Sequence, residues 1–331
     1  MRTTLIFYAL GVAFIAYIWA ANSEFRWPWA HTVWQEQAVV NDPRGRLADL
    51  NDIVFVNPLR GWVVGDRGAI LTTRDGGKTW TPQASGTTSP LQGVDFLDER
   101  RGWVVGSSST VLSTTDGGAT WLPLATGSVS SPTSVKFIDE QVGWMAGGAG
   151  QLWRTEDGGR TWTQQRNIPS FFGGIGGYQD GSVSGLAAVD ANYAWIGGVS
   201  GYLAVTEDGG REWSRFFTDI EKIGAVFFTD QRTGWYGGEK GRIFRTDNRG
   251  QTWRRQVTPT SAAILDMFFL DRNVGWAVGA SSTILHTIDG GRSWMSEDSG
   301  LVKNLVAVTA VDRDTAWAVG QGGLILRYRG N

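Results

Sequence analysis

Gly102–Trp121 reads GWVVGSSSTVLSTTDGGATW, and the reading of this stretch decides the fold. Two short apolar runs, each bounded by turn residues, are followed by an Asp-Gly-Gly turn that closes on tryptophan. Runs this short between Gly and Ser clusters suit strands, not helices.

The stretch is one copy of a repeat. Marker tryptophans recur at Trp62, Trp103, Trp144, Trp195, Trp235, Trp276 and Trp317, with successive gaps of 41, 41, 51, 40, 41 and 41 residues. A glycine follows each at the third position, and Asp or Asn precedes each by five, from Asn57 and Asp98 to Asp312. Such side chains start turns by bonding the backbone two residues on. Phe55, Phe96, Phe137, Phe228 and Phe269 stand seven residues before their markers, where the fourth and seventh copies carry Ala188 and Ala310. The second marker recurs as TRDGGKTW at Thr73–Trp80, TEDGGRTW at Thr155–Trp162, TEDGGREW at Thr206–Trp213 and TIDGGRSW at Thr287–Trp294, with a decayed copy, DNRGQTW, at Asp247–Trp253. Four extended runs fit each repeat; in the second they are expected at Gly93–Leu97, Gly102–Val105, Val111–Thr114 and Thr120–Leu124. Four strands in about forty residues make one propeller blade. The fold class expected is therefore all-β, a seven-bladed propeller of four-stranded blades.

The seventh repeat has no second marker. WQEQ at Trp34–Gln37 resembles WTPQ at Trp80, WTQQ at Trp162 and WRRQ at Trp253. The segment around Thr32–Val40 is thus expected to be the outer strand of the last blade, beside Gly322–Tyr328, closing the ring and removing an open seam. Ahead of it, Thr3–Ala21 carries no charge over nineteen residues, enough as a helix to cross a bilayer core. A cleaved signal is the competing reading, although Trp19 suits the −3 position poorly; a buried soluble helix is the third. The expected organisation is an anchor or signal at 1–22, a linker at 23–31 and a propeller at 32–331. With Arg2 inside, the propeller lies on the periplasmic or lumenal side of an inner membrane, anchored there or, if the leader is cleaved, secreted to the periplasm.

Composition narrows function. The 46 Gly and 18 Trp agree with many tight turns and large repeated packing contacts. A net charge of −2 gives no general attraction to nucleic acid. The absence of Cys excludes disulfides, thiolate metal sites and a lipidated cysteine, and two His make a multi-histidine metal site improbable. No metal or cofactor is expected. The Asp-Gly-Gly turns read as structural, because a device repeated around a ring holds blades together whereas an active site occurs once.

The S/T-x-D-x-G-x-T-W pattern resembles the Asp-box (BNR) repeat. Together with Phe-x-Asp, G-W-x-V-G and GGLILRY at Gly322–Tyr328, it resembles more closely the photosystem II stability/assembly factor family. That resemblance covers nearly all of Trp34–Arg329. It implies a monomeric ring outside the cytoplasm, not an enzyme, which assists assembly or stability of a membrane protein complex (photosystem-like or a transporter) by protein contacts. The lipidation cysteine of cyanobacterial members and the transit peptide of plant members are both missing. Asp-box propellers also include sialidases, so a carbohydrate-binding or sialidase-like propeller is the alternative. Sialidases use an arginine triad, a tyrosine nucleophile and a glutamate, and no F/Y-R-I-P motif is found near the start.

Two groups of residues are candidates for partner binding. The long third gap carries RNIPSFFGGIGGYQDGS at 166–182, with Phe171, Phe172 and Tyr178 as aromatic anchors among glycines. The other group is basic: Arg154, Arg245 and Arg327, ten residues after their markers, with Arg242 nearby. The resemblance implies an arginine-rich patch on one face.

Overall fold

The computed structural model describes residues 34–39, 48–126, 129–147, 150–165 and 183–330. The expected anchor at 1–22, the linker at 23–31 and the aromatic residues Phe171, Phe172 and Tyr178 lie outside them. Among the described residues no helix is long and apolar enough to cross a membrane.

Seven four-stranded antiparallel sheets form, each from strands adjacent in sequence except the last. In the second blade the strands are Leu91–Phe96, Gly102–Gly106, Thr110–Thr114 and Leu122–Pro123. The first begins two residues before its expected start, because a bulge between Leu91 and Gly93 prolongs the pairing. The outermost keeps only two paired residues, a short edge that limits pairing with other chains. The seven inner strands contact one another in a closed cycle around a central channel.

Ring closure follows the expectation from WQEQ. Gln35–Val39 pairs antiparallel with Leu324–Arg329, placing Gln35 opposite Arg327 and Val39 opposite Leu324. Gly322 belongs to a short turn, Gln321–Gly323, and the third strand starts after it.

Blades are held together by stacked rings. Five of the seven marker indoles lie face to face on the phenyl ring of the following blade: Trp62 on Phe96 at 3.6 Å, Trp103 on Phe137 at 3.5 Å, Trp195 on Phe228 at 3.7 Å, Trp235 on Phe269 at 3.6 Å, and Trp317 on Phe55 at 3.5 Å. The closing tryptophan packs edge-on against the same phenyl, as Trp121 does on Phe96. The glycine opposite that phenyl has a steric reason: a Cβ on Gly102 would sit 2.5 Å from the Phe96 ring. The fourth and seventh blades lack the phenyl, and there the glycine becomes Ala194 and Ala316, paired with Ala188 and Ala310.

The Asp-Gly-Gly turns brace these stacks. Asp116 accepts bonds from the Thr120 amide at 2.9 Å and hydroxyl at 2.6 Å, while Thr114 Oγ1 accepts from the Gly118 amide at 2.8 Å. Both glycines take positive φ, 73° and 83°. The turn then presents the Gly117 carbonyl to Trp62 Nε1 of the preceding blade at 3.2 Å. The hydroxyl and amide of Thr120 hold the Asp116 carboxyl at about 2, far down in the carboxylate range. Trp103, Trp235 and Trp317 make the same bond to Gly158, Gly290 and Gly76.

This topology gives the ring two unlike faces. The turns between first and second strands share one face with the Asp-box turns, as the bond from the Gly76 amide to the Leu59 carbonyl records. The turns between second and third strands share the other with the connections between blades, as Ser282 N donating to Lys303 O records. Replacing Phe96 with Ala is expected to lower unfolding free energy by about 3–5 kcal/mol. Replacing exposed Leu122 with Ala should change it by less than about 0.5 kcal/mol. Denaturant melts of both variants check the contrast.

Candidate functional site on the Asp-box face

Two of the four arginines expected to form a patch brace one blade to the next, and a third covers the marker tryptophan of its own blade. Arg245 lies over Trp235 with its guanidinium carbon 5.0 Å from the ring centroid, pairs with Asp247 at 2.7 Å, and donates to the Arg272 and Gly290 carbonyls of the next blade at 3.1 and 2.9 Å. Arg154 covers Trp144 at 5.3 Å, pairs with Glu156 and donates to the Ala191 carbonyl of the next blade at 3.3 Å. Arg327 covers Trp317 at 5.4 Å. Burial first, then the charge of Arg329, lowers its affinity for its proton. These three sit in blades 3, 5 and 7, separated by whole blades. Arg242 sits at the other face, donating to the Asp219 carbonyl at 2.6 Å. The four arginines therefore do not converge on one point.

A convergence does occur between blades 1 and 2. An open cleft of about 660 Å³ on the Asp-box face is lined by Asn57, Pro58, Leu59, Arg60, Arg74, Glu99, Arg100 and Asp116. Arg60 is its buried wall, over Trp62 at 4.5 Å and donating to the Gly117 and Thr73 carbonyls at 3.0 and 3.4 Å. Burial first, then the charge of Arg74, depresses the Arg60 proton affinity, with Glu99 opposing. Arg74 is exposed and takes no hydrogen-bond or ion-pair partner among the described residues. Glu99 is occupied by Asn57 Nδ2 at 2.7 Å, and Asp116 by its own turn. Leu59 stands at the rim, 58% exposed. The cleft thus offers fixed guanidinium charge beside an apolar contact, and its carboxylates are already engaged. That combination suits an acidic, partly apolar polypeptide segment.

Reading the sequence missed this cluster because Arg74 falls inside a repeated turn motif. The signal was in the columns of the repeat: the position of Arg74 holds Thr115, Glu156, Glu207, Asp247 and Ile288 in the other copies. The long insertion attaches at Gln165 and Val183, an outer-to-inner connection that starts and ends on the face opposite the cleft. Its aromatic residues and the cleft arginines therefore belong to segments rooted on different faces.

The central channel carries the remaining unusual electrostatics. Asp52 and Asp266 bridge neighbouring inner strands, accepting from Val94 N and Val308 N at 2.8 Å each. Asp95 accepts from Phe137 N and from Lys136 Nζ at 2.7 Å. Burial is the largest influence on the first two; it outweighs their backbone bonds and pushes Asp52 up to about 7 and Asp266 to about 8. Burial alone would lower Lys136, but the Asp95 charge outweighs it and raises the ammonium. No group of His, Asp or Glu among the described residues could hold a metal ion.

Known proteins agree with the ring. The family model described as photosynthesis system II assembly factor YCF48 matches residues 30–164 and 246–329, more than half of the chain. No curated protein matches it. Among solved structures, YCF48 bound to D1 peptide is 24% identical, covers 91% of this chain and 98% of its own, and superposes with a TM-score of 0.74. YCF48 from Cyanidioschyzon merolae is 22% identical, with 90% and 98% coverage and a TM-score of 0.73. The WD40 β-propeller domain of Doa1 is 13% identical, with 91% and 98% coverage and a TM-score of 0.71. At these identities the structural likeness concerns the fold.

The raised acids set a pH dependence. A carboxyl whose folded proton affinity exceeds its unfolded one stabilises the fold below the unfolded value of 3.8, and that contribution is lost as pH rises through the folded value. Stability is expected to fall as pH rises from about 4 to about 8. Asp52→Asn combined with Asp266→Asn should flatten the decline. Thermal melts across that range test it, and an unchanged slope in the double variant would refute it.

Proposed function

The chain belongs to the photosystem II assembly factor YCF48 family, and from that membership we propose that the cleft between blades 1 and 2 is where it grips its client. The protein is a non-catalytic interaction scaffold that assists assembly or stability of a membrane protein complex. Its client is an extramembrane segment of a membrane protein, rich in carboxylates and carrying a small apolar side chain for Leu59. The observation that carries the reading is Arg74, without a hydrogen-bond or ion-pair partner among the described residues, beside buried Arg60: two like charges on the Asp-box face held close together with their neighbouring acids already committed. A related propeller of this family has been solved with D1 peptide bound, which is the kind of client proposed.

Anchoring belongs to the same proposal. The uncharged segment Thr3–Ala21 holds the ring at an inner membrane, with the propeller on the periplasmic or lumenal side. Phe171, Phe172 and Tyr178 of the insertion are proposed as a second contact, for a different part of the complex. A sialidase-like reading finds less support: the residues lining the cleft include no tyrosine to act as nucleophile, and the Asp boxes are committed to their own turns.

Charge reversal at the cleft tests the proposal. Arg74→Glu with Arg100→Glu should lower recovery of the membrane partner from detergent-solubilised membranes at least about tenfold, with an unchanged melting midpoint. Undiminished recovery would reject the cleft. Saturable glycan binding without any protein partner would reject the scaffold itself.

A further inference from the structure

We infer that the Asp-box face is turned toward the bilayer, so that the arginine cleft meets the membrane-proximal part of its client; this rests on the anchor proposed above. The polarity of one strand carries the inference. Third strands run from the turns between second and third strands to the Asp-box turns, and Gln35–Val39 runs against the third strand of the last blade. Gln35 opposite Arg327 therefore lies toward the Asp-box face, and Val39 opposite Leu324 toward the other. Trp34 is fixed in place: it is 2% exposed, donates from Nε1 to Glu297 Oε2 at 2.6 Å, and packs on Tyr328 at 5.5 Å. Whatever precedes Trp34 leaves the ring from the Asp-box face.

Linker length turns this exit into an orientation. Between the proposed anchor at 1–22 and Trp34 lie residues 23–33. Fully extended, eleven residues span at most ~40 Å, and as a flexible coil their root-mean-square reach is ~20 Å. Five-residue strands at ~3.3 Å per residue, with turns at both ends, make the ring ~30 Å thick. To bring the opposite face to the lipid, the linker must first climb the full rim of the ring. That climb exceeds its average reach and leaves little slack at full extension. The Asp-box face needs no such stretching.

The consequence for the client is geometric. The segment taken by Arg60, Arg74 and Arg100 must lie within about 40 Å of the bilayer. The face bearing Val302, 92% exposed, and the roots of the insertion at Gln165 and Val183 point away from the membrane.

The chain has no cysteine, so single labels can be placed cleanly. Lys78→Cys puts a donor dye on an exposed Asp-box position, and Val302→Cys puts one on the opposite face. The full chain is reconstituted into phosphatidylcholine–phosphatidylglycerol vesicles carrying a lipid-linked acceptor, and energy transfer is compared. Transfer from Lys78→Cys at least about twice that from Val302→Cys is expected, since transfer falls steeply across a ring ~30 Å thick. Equal or reversed transfer in chain that floats with the vesicles overturns the orientation and leaves the anchor standing. Chain that stays with the soluble fraction refutes the anchor, and the orientation falls with it.

Discussion

An indole laid flat on the phenyl ring of the next blade is the contact on which the rest of the ring depends. It buries both aromatic faces, fixes the approach of adjacent sheets and leaves the indole N–H aimed at the next Asp-box turn. The requirement propagates through the sequence. The phenyl needs room above its cross-strand neighbour, so that neighbour is glycine wherever the phenyl is present and alanine in the two blades where it is not. The Asp box follows from the same geometry: its Thr and Asp side chains shape a turn whose first glycine carbonyl receives the indole. The motif that names the repeat is thus a hydrogen-bonded support for a packing contact.

Where the contact is weakened, the interfaces become individual. Among the described residues the indoles of Trp144, Trp195 and Trp276 find no hydrogen-bond acceptor. Trp144 lacks a phenyl to stack on and meets Trp213 edge-on; Trp195 faces the decayed turn with Asn248 and Arg249; Trp276 is covered by His286, parallel at 4.7 Å. Two of these interfaces fall in or beside residues 165–245, the stretch that the family model leaves unmatched. Sequence departure and loss of the repeated bond coincide there.

The repeat made the architecture legible because every copy solves the same packing problem, so spacing alone counts the blades and WQEQ marks the strand missing from the last. The site was less legible. Position within the repeat shows which arginines share a column, but an arginine ten residues after a marker tryptophan is the residue best placed to cover that indole and reach the next blade's carbonyls. Arg154 and Arg245 do this, so their charges are largely spent on the ring. Arg242 and Arg245 are three residues apart and serve opposite faces, which follows from strand direction and not from proximity in sequence. The cleft combines residues from two turns of blade 1 and two of blade 2. Only Arg74 betrays it in one dimension, as the one cation at that place among the six Asp-box turns.

Closure of the ring requires a different chemistry from the other interfaces, and the residue at one repeated position changes accordingly. Three residues after the closing tryptophan, Gln83 donates to the Gly117 carbonyl at 2.9 Å and accepts from Trp121 at 3.2 Å; Gln256 does the same with Gly290 and Trp294, at 2.8 and 3.0 Å. An amide suits that place because it must both give and take a hydrogen bond. The last blade draws its outer strand from the other end of the chain, so no Asp-Gly-Gly hairpin joins its third and fourth strands, and an amide would have no turn carbonyl to meet. The equivalent residue there is Glu297, an acceptor, which takes the Trp34 indole at 2.6 Å and lies 3.2 Å from His286 Nδ1. The neighbouring brace changes with it, from arginine over the indole to histidine stacked on it. Strand Gln35–Val39 thereby meets a carboxylate, which no other blade carries at that position. Its docking is specified to the one open edge, and with it the face from which the preceding chain departs.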